Sequence, residues 1–218
     1  MTGPKETTVK TPAGKMRVWT KGKGKKVGFF AGVGGLPRWT PFLDALAEKR
    51  TVVVPSLAGF PGGPTGDQLD DNLDRIVAAH DALVAAGLAG ADLIGASVGG
   101  ALAAEVAALW PGDVKKLVLL APFGLFEESE PVADIFAQRP GAMTSALSTK
   151  GKDLDAFFAA PEGVAGIDWQ VSSLRANVAA ANIKNAGVIA GAHKHAPALC
   201  GQQAQVFFRR LVRAVLRP

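Results

Sequence analysis

Apolar residues in this chain come in short runs of two different spacings, separated by polar and glycine-rich stretches. Residues 7–10 and 16–20 flank the turn signal Pro12-Ala13-Gly14, which predicts an antiparallel hairpin at one sheet edge. The lysine-rich stretch 22–26 predicts a solvated turn, and the compact apolar run 27–31 a buried strand. Residues 39–49 place Phe42, Leu43, Leu46 and Ala47 at helical spacing, after which Thr51–Pro55 returns to a strand. Residues 58–66 hold too much Gly and Pro for regular structure and predict a loop over one end of the sheet. A helix over 72–86 follows, capped by Asp70 or Asp71 and stopped by Gly87. Its expected core face is Leu73, Ile76, Val77, Leu83 and Val84.

From Ala91 the chain reads as a short buried strand running into a small-residue helix over 98–109, which ends at Trp110-Pro111-Gly112. Residues 116–121 predict another parallel strand. Strands alternating with helices imply an α/β fold, a mostly parallel, doubly wound sheet covered on both faces. Beyond Pro122 the pattern changes, and segments 131–138, 153–159 and 169–181 read as helices with no strand between them. This predicts a helical lid over the strand ends. The division expected is a core over 1–122, a lid over 123–181 and an atypical C-terminal segment over 182–218.

Composition narrows the classes. At 218 residues and 48% hydrophobic, the chain suits one sizeable ordered core, and no run approaches the roughly 20 apolar residues of a membrane span. The polar N-terminus lacks an apolar signal core, and the lone Cys200 cannot form an internal disulfide, so a cytoplasmic location is expected. No Cys/His cluster has zinc spacing, so neither a metal nor a cofactor is expected. The net charge of +5 is uneven: no Asp or Glu follows Asp168, whereas seven Lys and Arg do. Such a tail offers charge to nucleic acid or anionic lipid. Without a recognised binding motif the expectation is a solvated helix face, with no nucleic acid and no membrane as partner.

The chemistry centres on Gly95-Ala96-Ser97-Val98-Gly99, a G-x-S-x-G pattern between predicted strand and helix. Glycines on either side relieve a tight bend, so the Ser97 hydroxyl is expected to project above the sheet edge. The Val98 amide, in the first helical turn, is expected to point at the same spot as an oxyanion donor. The loop Gly32-Val33-Gly34-Gly35-Leu36-Pro37 also follows a strand, but the third glycine of a dinucleotide motif would fall at Pro37 and no phosphate-loop lysine follows. The alternative is an open loop whose Val33 amide faces developing negative charge. His80, within a covering helix and ahead of the serine, reads as structural.

The loop AGVGGLPRW, the elbow GASVGG and the strand LVLLAPFGLF together resemble the α/β-hydrolase superfamily, in particular its meta-cleavage-product hydrolase and esterase group, over about residues 5–180. The resemblance implies a serine hydrolase of small ester or carbon–carbon bond substrates, with Ser97 as nucleophile and Val98 and Val33 as oxyanion donors. Ala31-Gly32 stands where the family usually has His-Gly. His193 lies where the resemblance puts the base, although His193 and His195 also read as plain surface residues. For the triad acid the resemblance allows Glu127, Glu128 or Glu130 at the end of the sixth strand, although all three read rather as facing solvent at the lid entry, and Asp168 reads as a lid cap. The loss of acids suggests that the tail from about Asn182 is foreign to the family, through deletion or a shifted reading frame. The alternative function is a hydrolase-like protein without a complete triad, catalytically impaired or inactive. Lid residues Phe123, Phe126, Phe157 and Trp169 suggest a partly apolar acyl group or simply lid core.

Overall fold

The computed structural model describes residues 3–32, 34–124, 155 and 158–185. In chain order these form β1 (Lys5–Thr11), β2 (Gly14–Lys21), β3 (Lys26–Phe30), α1 (Pro41–Ala47), β4 (Thr51–Pro55), α2 (Asn72–Ala85), β5 (Ala91–Ala96), α3 (Ser97–Leu109), β6 (Val114–Leu120) and α4 (Gly166–Asn185). The strands make one sheet in the order β1-β2-β4-β3-β5-β6. β1 and β2 pair as the expected hairpin, and β2 lies antiparallel to β4. From β4 through β3 and β5 to β6 every pairing is parallel. This is the mostly parallel α/β sheet that the alternation of runs implied.

Successive strand residues point to opposite faces, and the core divides accordingly. Val52 and Val54 join Val27, Phe29 and Ile94 in a layer closed by Leu43 and Ala47 of α1. Val53, Phe30 and Leu93 face the other way, into the larger layer beneath α2, α3 and α4. Helix α1 is shorter than residues 39–49 because Pro41 occupies its first turn, where a missing N–H costs nothing.

Helix α2 begins at Asp71, whose side chain accepts from the Asp74 amide at 2.9 Å while the Asp74 carboxylate accepts from the Asp71 amide. It ends on Gly87 at φ 67°, with Gly87 N–H donating to Val84 O and Leu88 N–H to Leu83 O. Its buried face differs from the expected one. Ile76 and Leu83 are buried with Ala78, Ala79 and Ala82, but Leu73, Val77 and Val84 are 57%, 39% and 46% exposed. The alanines let α2 lie close to its neighbours, and Leu73, Val77 and Val84 form a second stripe turned away from that contact. At about 3.6 residues per turn the two sets cannot share one face.

Helix α4 spans the predicted 169–181 segment and rests on the core through Ala176, Ala179, Ala180 and Ile183. Gly59 makes this approach possible, since a Cβ there would sit 2.7 Å from Ala179 Cβ. The predicted helix 131–138, most of 153–159, and the segment from 186 onward lie outside the described residues. Among the described residues no helix is long and apolar enough to cross a membrane.

Candidate active site

The strand order changes direction between β3 and β5: the connection from β3 through α1 goes to β4 on one side, and the connection through α2 returns to β5 on the other. In open α/β sheets, a crevice opens at such a switch, outside the carboxyl ends of the strands. β5 ends there at Ala96, and Ser97 begins α3 directly. Ser97 has φ 52°, a left-handed conformation that strains a residue with a side chain, and it is half-exposed. Ala121, just past the end of the neighbouring β6, has φ 43°. Ala96 pairs with Leu120, so the two strained residues sit side by side at the sheet's carboxyl edge.

Small residues bring the pieces together. A Cβ at Gly95 would lie 2.7 Å from the Gly100 Cα and the Gly99 carbonyl oxygen. One at Gly99 would meet the carbonyl oxygen of Ala31 at 2.3 Å, and one at Gly32 would come within 3.1 Å of Ser97 Cβ. The first turn of α3 and the loop after β3 therefore touch, with Ser97 at the seam. Val98 is fully buried by its side chain, and its amide belongs to the first turn of α3, whose N–H groups have no carbonyl one turn back. Among the described residues no side chain caps that turn. The Phe123 amide donates to the Ser97 carbonyl at 3.1 Å and ties the segment after β6 to the same point.

The profile of the Alpha/beta hydrolase family matches residues 29–217. The chain belongs to this family. No curated protein shows significant sequence similarity to this alpha/beta hydrolase. Among solved structures, a bacterial membrane phospholipase A superposes with TM-score 0.59 at 21% identity over 84% of this chain and 61% of its own. An esterase from a Rhodococcus species gives 0.53 at 19% identity over 84% and 72%, respectively. A haloalkane dehalogenase loop variant from Bradyrhizobium elkanii gives 0.56 at 15% over 88% and 73%. The chain thus spans less than two thirds of the phospholipase chain. Identities at this level establish the shared fold, and one fold hosts many reactions.

Of the residues singled out from sequence, the structure places Ser97 and Val98 in the first turn of α3, at the crevice. Val33, His193, His195, Glu127, Glu128, Glu130, Phe126 and Phe157 lie outside the described residues. His80 is held elsewhere: Nε2 is 2.7 Å from Asp113 Oδ2, and the ring stacks on Trp110 at 4.0 Å. Trp110 caps the far end of α3, thirteen positions of about 1.5 Å each along the helix from Ser97. His80 therefore secures α2 to the α3–β6 turn, as its position in a covering helix implied. Asp168 lies on α4 beside the 59–65 loop, lining a groove of about 300 Å³ with Ser172 and Arg175. Trp169 does not offer only an apolar face, because its Nε1 donates to Phe158 O at 3.0 Å. Among the described residues no cluster of His, Cys, Asp and Glu has the form of a metal site.

Contacts absent from the sequence reading bind the loop after β3. Arg38 Nη2 donates to Ala159 O at 2.7 Å, and the absent side chain of Gly34 leaves room for the Phe158 ring. From the opposite side, Arg17 Nη2 donates to Leu36 O at 2.9 Å. The only sequence signal for Arg17 was a cation between two core residues, Met16 and Val18. Burial also acts on Glu105, in the middle of α3. Its carboxyl is pushed above the usual range by desolvation, and its Oε1 has no hydrogen-bond partner among the described residues.

Proposed function

We propose that this chain is a serine hydrolase in which Ser97 attacks a small ester or a vinylogous carbon–carbon bond. The observation that carries the reading is Ser97 itself: a strained, half-exposed serine at the strand-to-helix junction of the sheet's switch point. Strain of about 1–3 kcal/mol is retained where surrounding structure enforces it, and such residues gather at active sites. In this reading the Ser97 Oγ forms a bond to the substrate carbonyl carbon while its proton passes to His193. The oxygen of the tetrahedral intermediate is held by the amides of Val98 and Val33. Collapse expels the leaving group with that proton, and water then releases the acyl group. The contact of Gly32 with Ser97 supports Val33 as the second donor, since it brings the loop to the nucleophile. The segment 123–181 serves as a lid and the substrate is a small molecule. The lone cysteine supports action in the cytoplasm.

A second reading, a hydrolase-like protein without turnover, is favoured by one observation: no carboxylate follows Asp168 to orient a base in the tail. A fluorophosphonate probe separates the two. Labelling of the wild type that disappears in Ser97→Ala supports the nucleophile; an unlabelled wild type supports the inert protein, and labelling that persists in Ser97→Ala rejects Ser97.

A further inference from the structure

We propose that Arg17 is a positioning residue that holds the loop after β3 in register with Ser97. Its guanidinium spans two loops. Nη2 donates to Leu36 O at 2.9 Å and to Pro61 O at 3.2 Å, and Nε donates to Ser56 Oγ at 3.2 Å. The Trp19 ring lies 3.8 Å beneath it. The backbone adds two bonds, from the Arg17 amide to Gly62 O at 2.8 Å and from the Ser56 amide to Arg17 O at 2.9 Å. Gly62 has room for no side chain, because a Cβ there would come within 2.6 Å of Arg17 Nε. The Leu36 end of the loop is thereby fixed to β2 and to the turn after β4. Its other end begins at Gly32, against Ser97, and the Gly35 amide closes the turn between them on Gly32 O at 2.9 Å.

The chemistry of this cation argues for a role beyond filling space. Among the described residues no carboxylate touches the guanidinium, and Glu6, whose charge favours it from a distance, accepts from Trp19 Nε1 at 2.7 Å. Desolvation draws the Arg17 pKa below its ordinary value. A half-buried charge set on neutral acceptors is unfavourable compared with an apolar side chain of similar volume. What an apolar residue cannot do is join two carbonyls and a hydroxyl from separate loops through one planar group. A lysine, with a single ammonium, reaches part of that set.

The catalytic consequence rests on Ser97 being the nucleophile; the clamp itself does not. The test compares full-length wild type, Arg17→Met, Arg17→Lys and Ser56→Ala by amide hydrogen exchange of residues 32–38 and by hydrolysis of p-nitrophenyl acetate. Arg17→Met is expected to speed exchange in that loop while α2 and β5 keep their protection. It should lower kcat by about 10- to 100-fold with KM nearly constant, the signature of misplaced donors. Arg17→Lys should recover part of both. Unchanged loop exchange, or a wild-type kcat in folded Arg17→Met, overturns the proposal. Should Arg17→Met not fold, Ser56→Ala decides: faster loop exchange supports the clamp, and wild-type exchange rejects it. An inert wild type refutes the Ser97 reading and with it the catalytic part, while the exchange result still decides the clamp.

Discussion

Replacing Gly99 with alanine tests the packing on which the candidate site depends. The new Cβ would lie 2.3 Å from Ala31 O, 2.5 Å from Phe30 O and 2.7 Å from Phe30 C, all backbone atoms that no rotamer change can move. Restoring ordinary contact, at about 3.4 Å or beyond, requires α3 and the end of β3 to part by about 1 Å or slightly more. Overpacking of this kind costs about 1–3 kcal/mol. For a chain of this size that corresponds to a fall of roughly 2–12 °C in Tm. The functional effect should exceed the effect on stability. The displaced atoms adjoin Gly32, which touches Ser97, so the gap between nucleophile and loop opens by a similar distance. A misplacement of about 1 Å can lower rates by about 10²-fold. Thermal unfolding and the rate of fluorophosphonate labelling measure the two effects. Gly112→Ala is the control, because among the described residues nothing lies within 4 Å of a Cβ there. If Gly99→Ala matches Gly112→Ala in both measurements, α3 does not bear on the loop after β3 as described.

Two further outcomes follow from side chains away from the crevice. His80→Ala removes the contact to Asp113 and the stack on Trp110, and should destabilise the fold by about 1–3 kcal/mol in denaturant unfolding; slower probe labelling in the folded variant would instead make His80 part of the site. Glu105→Gln should raise Tm at neutral pH. Because the folded-state pKa of Glu105 is raised, its ionisation opposes folding once pH exceeds the ordinary glutamate value, and the penalty vanishes below it. The difference between variant and wild type should therefore shrink as pH falls through the raised folded-state pKa toward the ordinary glutamate value, and a difference independent of pH would refute desolvation of Glu105 as its source.

Much of the architecture was readable along the chain because its causes are local. Period-two and helical spacing and Gly87 at a helix stop act within a few residues, so the elements through β6 appear close to where their patterns lie, with α1 trimmed at its start by Pro41. Within the G-x-S-x-G segment Gly95 belongs to this class, since a Cβ there would meet Gly99 and Gly100 of the adjoining turn, whereas Gly99 is required by the end of β3, which only packing brings against α3. Tertiary structure decided what depends on partners remote in sequence. Leu73, Val77 and Val84 are as apolar as Ile76 and Leu83, and only the direction of approach to α2 determined which set is buried. Arg17 gave no local sign of its role, because Leu36, Ser56 and Pro61 reach it only after the strands β2, β4 and β3 have come to lie side by side. Short-range sterics and hydrophobic period are written residue by residue, whereas hydrogen bonds between loops exist only once the sheet has set the distance between them.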